Sequence, residues 1–80
     1  MFDFRENVQT TEGLVAFSFV RIYKSTGIIY FVSATGRAMR YHFHMEEKQG
    51  RWKILPGTNL PDVILKYEEH LAQLIRENHV

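Results

Sequence analysis

Four segments dense in β-branched and aromatic residues follow one another with only a few residues between them: Leu14–Lys24, Ile28–Thr35, Arg37–Glu46 and Arg51–Leu55. This spacing is the strongest constraint on the fold. A parallel strand pair needs a crossover of a dozen or more residues, so strands joined this closely must run antiparallel as a meander. Ser25-Thr26-Gly27 supplies the first turn. Thr35-Gly36 reads as a two-residue hairpin turn and Glu47-Lys48-Gln49-Gly50 as a four-residue one.

Pro56-Gly57 then ends the sheet in a type II turn. Beyond it the hydrophobic period changes from two to that of a helix. Ile64, Tyr67, Leu71, Leu74 and Ile75 recur at helical spacing, with Leu60 and Val63 at the entrance. Pro61 suits the first turn, where its missing N–H costs nothing, and Asp62 favours the positive end of the helix dipole. Arg76 and His79 suit the other end. The expected fold is α+β: a four-stranded antiparallel meander packed on one C-terminal helix over residues 61–78. Residues 1–13 form an irregular lead-in or a short fifth strand at the edge, the meander occupies 14–55, and the whole of 1–80 is one domain.

Eighty residues bury only about 60% of the surface that the unfolded chain exposes. With no cysteine, neither a disulfide nor a thiolate zinc site can staple so small a core. Six Phe, four Tyr and one Trp must supply the packing, and oligomerisation is the other usual remedy.

Strand side chains alternate, so the turns decide which residues share a face. The expected pairs are Tyr23–Ile28, Phe19–Val32, Val32–Met39, Tyr30–Tyr41, Met45–Trp52 and Phe43–Ile54. One face then carries Val15, Phe17, Phe19, Tyr23, Ile28, Tyr30, Val32, Met39, Tyr41, Phe43, Met45, Trp52 and Ile54 and belongs under the helix. The other face is divided. Ala16, Val20, Ile22, Ile29 and Phe31 are apolar, with Leu55 at their margin; Arg40, His42, His44, Glu46, Arg51 and Lys53 are polar or charged. A contiguous apolar patch of Val20, Ile22, Ile29 and Phe31 marks an interface, unless Phe2 and Phe4 fold back to cover it.

The motifs for chemistry are sparse. His42-x-His44-x-Glu46 puts two imidazoles on one side of a strand, roughly 7 Å apart, with Glu46 as a distant third metal ligand; the bland alternative is a solvated face. No Gly-x-Ser-x-Gly elbow or Gly-rich phosphate loop occurs, and Glu46-Glu47 and Glu68-Glu69 are adjacent pairs whose side chains diverge. No enzyme activity and no cofactor are expected. Ten basic and nine acidic residues balance to +1, which gives no bulk attraction to nucleic acid or to a membrane. The start Met1-Phe2-Asp3-Phe4-Arg5 lacks the pattern of a signal peptide, so a cytoplasmic location is expected.

The first functional expectation is a non-enzymatic binding domain, a homodimer joined through Val20, Ile22, Ile29 and Phe31, with another protein as the alternative occupant of that patch. The rival is single-stranded nucleic-acid binding over Arg40, His42, Arg51 and Lys53, where cations stand beside rings. Four curved antiparallel strands followed by a helix resemble the layout of PUR-repeat and Whirly proteins. That resemblance would imply single-strand binding, often by dimers; it is one of layout only and carries no residue with it.

Overall fold

A computed structural model describes residues 2–56 and 59–78. Five strands form one sheet in sequential order, β1 (Phe4–Thr10), β2 (Gly13–Lys24), β3 (Gly27–Thr35), β4 (Arg40–Lys48) and β5 (Arg51–Ile54), followed by helices α1 (Asp62–Leu65) and α2 (Glu68–Asn78). All four neighbouring pairs are antiparallel. The fifth strand is therefore present and spans seven residues. Its sequence, FRENVQT, carries five polar side chains that hide its alternation. Phe4, Glu6, Val8 and Thr10 face the helix side, Glu6 remaining exposed, and Phe4 lies parallel to Phe19 at 4.4 Å.

The β2–β3 register agrees with the sequence, with Tyr23 opposite Ile28 and Phe19 opposite Val32. The other two turns differ. Residues 36–39 connect β3 to β4, so Val32 faces Phe43 and Tyr30 faces Met45, a slip of four from the expected pairs. Gly36 fits closely there: its N–H donates to Met39 O at 3.0 Å, and a Cβ would meet the Met39 side chain at 2.9 Å, so a larger residue would have to displace it. The β4–β5 turn is only Gln49-Gly50, with both residues left-handed at φ 53° and 82°, and Met45 pairs with Ile54 rather than Trp52. Two consecutive left-handed residues make the tight turn whose twist matches that of the strands.

Both slips are even, so each side chain keeps its expected face. Val15, Phe17, Phe19, Tyr30, Val32, Phe43, Met45 and Trp52 are buried in one cluster with Leu60, Ile64, Leu71, Ala72, Leu74 and Ile75 from the helical segment. Ile28, Met39, Tyr41 and Ile54 are half-buried against that cluster. Tyr23 is the exception: it is 73% exposed, because it lies beyond the end of the helical cover, and the position before it on that face is Arg21.

The helical segment is broken into two. Pro61 stands at the N-cap, not inside the first turn, and its carbonyl accepts from Ile64 and Leu65 N–H. α1 ends at Leu65, and α2 restarts at Glu68 after Lys66 and Tyr67. The Glu68 carboxylate accepts from Ile54 N–H at 2.8 Å and lies 3.6 Å from Lys53 Nζ. It thus ties the free edge of β5 to the start of α2. The Pro56-Gly57 turn and His79 fall partly or wholly outside the described residues.

Candidate functional site

The helix side is accounted for by packing, so the opposite, open face of the sheet is the surface left to act. The registers lay it out as rows across the strands. Asn7, Ala16, Thr35 and Arg40 form one row. Arg5, Ser18, Ser33 and His42 form the next. Val20, Phe31 and His44 follow, with Leu55 beside them through its N–H bond to His44 O at 2.9 Å. Then come Ile22, Ile29, Glu46 and Lys53. Lys24 and the Lys48–Arg51 pair close the far end.

Val20 stands opposite Phe31 and Ile22 opposite Ile29, so the expected apolar patch is contiguous. It is less bare than its composition implies. Ile29 is 5% exposed and the other three are half-buried, since side chains on neighbouring strands shield one another. The proposed cover by the N-terminus is overturned. Phe4 points to the helix side, Asp3 N–H donates to Phe19 O at 2.8 Å, and the Asp3 carboxylate accepts from Arg21 N–H at 2.6 Å. The segment runs beside β2 and leaves the open face clear.

Next to this patch three rings stand together. The His42 ring is parallel to Phe31 at 5.5 Å, and the His44 ring is tilted against Phe31 at 5.1 Å. A hydrogen bond of 3.0 Å between Ser33 Oγ and His42 Nδ1 orients the imidazole. His42 is exposed, and Phe31 and His44 are half-buried. This geometry draws His42 toward Phe31 and Ser33, and among the described residues no three His, Asp or Glu side chains group as a metal site requires.

The charges are sorted by face. Alternation in the observed register puts Arg5, Lys24, Arg40, Lys48, Arg51 and Lys53 on the open side, against the single strand carboxylate Glu46. Glu6 and Glu47 fall on the helix side, and Asp62, Glu68, Glu69 and Glu77 are on the helices. Lys53 leans round the β5 edge toward Glu68. Among the described residues the other five make no ion pair. Arg5 and Lys48 escape a reading of the sequence because they sit in segments that look like a lead-in and a turn, and Lys24 because it is the last residue of its strand. Only the pairing of β1 with β2 puts Arg5 on the same face as Arg40.

Two shallow depressions are lined by Thr26, Gly27, Ile28, Ile29, Glu46 and Glu47, and by Glu12, Arg37, Ala38 and Met39; they measure about 180 and 130 Å³. Both are below the usual size of a small-molecule site. No described helix is long and apolar enough to cross a membrane. No protein-family model, curated protein or solved structure matches the chain. The likeness of layout to PUR-repeat and Whirly proteins therefore has no structural counterpart and supports nothing further.

Proposed function

We propose that the chain is a non-enzymatic binding domain that holds an anionic polymer on its open sheet face. One observation carries this reading: five cations without an ion pair among the described residues, and Lys53 at the edge, share that face with one strand carboxylate, although the whole chain is close to neutral. A polymer experiences the local field, not the sum, and gains by releasing its condensed counterions to such a surface. The near-neutral total removes bulk attraction and leaves binding to the one face that concentrates charge. Anisotropy of a labelled polyanion at low salt tests the reading. Binding should be present, should weaken with salt, and should be lost in Arg40→Glu with Arg51→Glu. A protein that binds no polyanion at low salt refutes it.

A second reading, self-association through Val20, Ile22, Ile29 and Phe31, draws support from the direct pairing of Val20 with Phe31 and Ile22 with Ile29. Two copies placed face to face would bring their cationic rows together. This reading therefore predicts a dimer that tightens as salt rises, opposite in sign to polyanion binding. Light scattering should give twice the chain mass, and Phe31→Glu should give a folded monomer. A wild-type monomer at high concentration ends it.

A further inference from the structure

We infer that the polymer is a single-stranded nucleic acid, and that its bases as well as its phosphates are received, on the ring row of Phe31, His42 and His44. The inference rests on the reading above and adds to it the class of ligand. Phosphate, sulfate and lipid headgroup surfaces all satisfy cations; only a ligand with exposed flat rings also uses an aromatic row. Here the rings and the cations are interleaved. His42 and Arg40 are two residues apart on one face of β4, Arg5 lies in the His42 row on β1, and Arg51 and Lys48 stand past His44. Single-strand binders combine these two elements, a cationic track for the backbone and rings on which successive bases stack.

The geometry favours this occupant in three further ways. The Phe31–His42 pair is held by its own parallel stacking and by the Ser33–His42 hydrogen bond, so little ordering remains to be done on binding. Val20 and Leu55 flank Phe31 and His44, extending the row with apolar surface against which base faces can lie. Ala16, Ser18, Ser33 and Thr35, between Arg5 and Arg40, are short side chains that let a strand run close to the sheet. Glu46 stands past His44, opposite Lys53, and so disfavours phosphate at that end. The favoured path runs from the rings toward Arg40 and Arg5. A duplex keeps its bases stacked inside and cannot offer them to the rings.

The test compares a labelled thymidine oligonucleotide with an abasic phosphodiester strand of the same length, a DNA duplex, heparin and vesicles of phosphatidylglycerol, all with the full chain at one low salt concentration. The thymidine strand should bind at least about fivefold tighter than the abasic one, the least expected of one stacked base. Phe31→Leu should shrink that advantage by weakening the thymidine strand more than the abasic one, with circular dichroism verifying the fold; an advantage unchanged by Phe31→Leu overturns the inference. Should Phe31→Leu fail to fold, His42→Ala with His44→Ala gives the same comparison from the more exposed members of the row. Equal affinity for the abasic strand, or tighter binding to duplex, heparin or vesicles, overturns the inference and leaves the polyanion reading standing. Binding to none of these probes overturns both.

Discussion

Arg21 and Tyr30 stand opposite each other on β2 and β3, and the guanidinium donates from Nε to the Tyr30 hydroxyl at 2.9 Å. The same guanidinium lies 5.6 Å from the Tyr30 ring centroid and donates from Nη2 to the Asn78 carbonyl at 3.2 Å. An arginine on the helix-facing side of a strand is thus a fastener. It lies half-buried against the Tyr30 ring at the end of the core, and its charge meets the negative end of α2.

Replacing Arg21 by Met keeps much of the stem and removes these bonds, so the thermal midpoint should fall, and Lys should restore only part because it lacks the planar fork. The hydroxyls of Tyr23 and then Tyr30 hold the Arg21 guanidinium above its ordinary range. For a base whose folded pKa is raised, the stabilisation is complete below the unfolded value and fades only as pH climbs through the folded one. The difference in midpoint between wild type and Arg21→Met should therefore be flat from mildly acid to mildly alkaline pH. A slope across that window would contradict the assignment.

Glu68 joins the edge of β5 to the helix by accepting from Ile54 N–H. Glu68→Ala leaves that amide without its carboxylate and removes the partner of Lys53. Urea denaturation should show a loss of about 1–3 kcal/mol, the usual cost of a half-buried charge-assisted hydrogen bond. The Ile54 amide should exchange with solvent much faster, while amides of the β2–β3 ladder keep their relative protection.

Phe4 tests whether β1 belongs to the core. It is half-buried, stacked on Phe19 and edge-on to Tyr30 at 5.8 Å. Phe4→Ala should cost about 2–3 kcal/mol, somewhat less than a fully buried phenylalanine. A change below about 0.5 kcal/mol, ordinary for surface positions, would mean that the strand adds little to the fold.

Gln49 occupies a left-handed conformation at φ 53° beside Gly50. Asn tolerates that region better, and Asn-Gly is the preferred pair for such a turn. Gln49→Asn should stabilise the domain, read as a higher denaturation midpoint with an unchanged urea slope.

Polyanion binding to the open face should have a measurable salt signature. If three to five phosphates are neutralised, the logarithm of the binding constant should fall against that of salt with a slope of about −2 to −3.5. Arg5→Gln or Arg40→Gln should each make the slope shallower by roughly 0.7. A slope near zero would exclude cation–phosphate contact as the source of affinity.

The division of the sheet into two faces was legible before any coordinates, because alternation is a local property of an extended chain. It survived slips of four residues at Gly36 and two at Gln49-Gly50, since even slips preserve which way a side chain points. The helical stripe from Ile64 to Ile75 was legible for the same reason, as a period carried by the chain itself. Three features depended on contacts between distant segments. β1 exists because Phe4 and Val8 find partners on β2, although five of its seven residues are polar. The cation-rich face exists because that pairing and the turns bring Arg5, Lys24, Arg40 and Arg51 to one side; along the chain these charges are interspersed with acidic ones and cancel. Arg21 becomes a fastener only where the last turn of α2 arrives above it. Periodicity is set by the backbone geometry of neighbouring residues, whereas the sum of charge on a surface and the partner of a single arginine are set by which distant segments the folded chain places side by side.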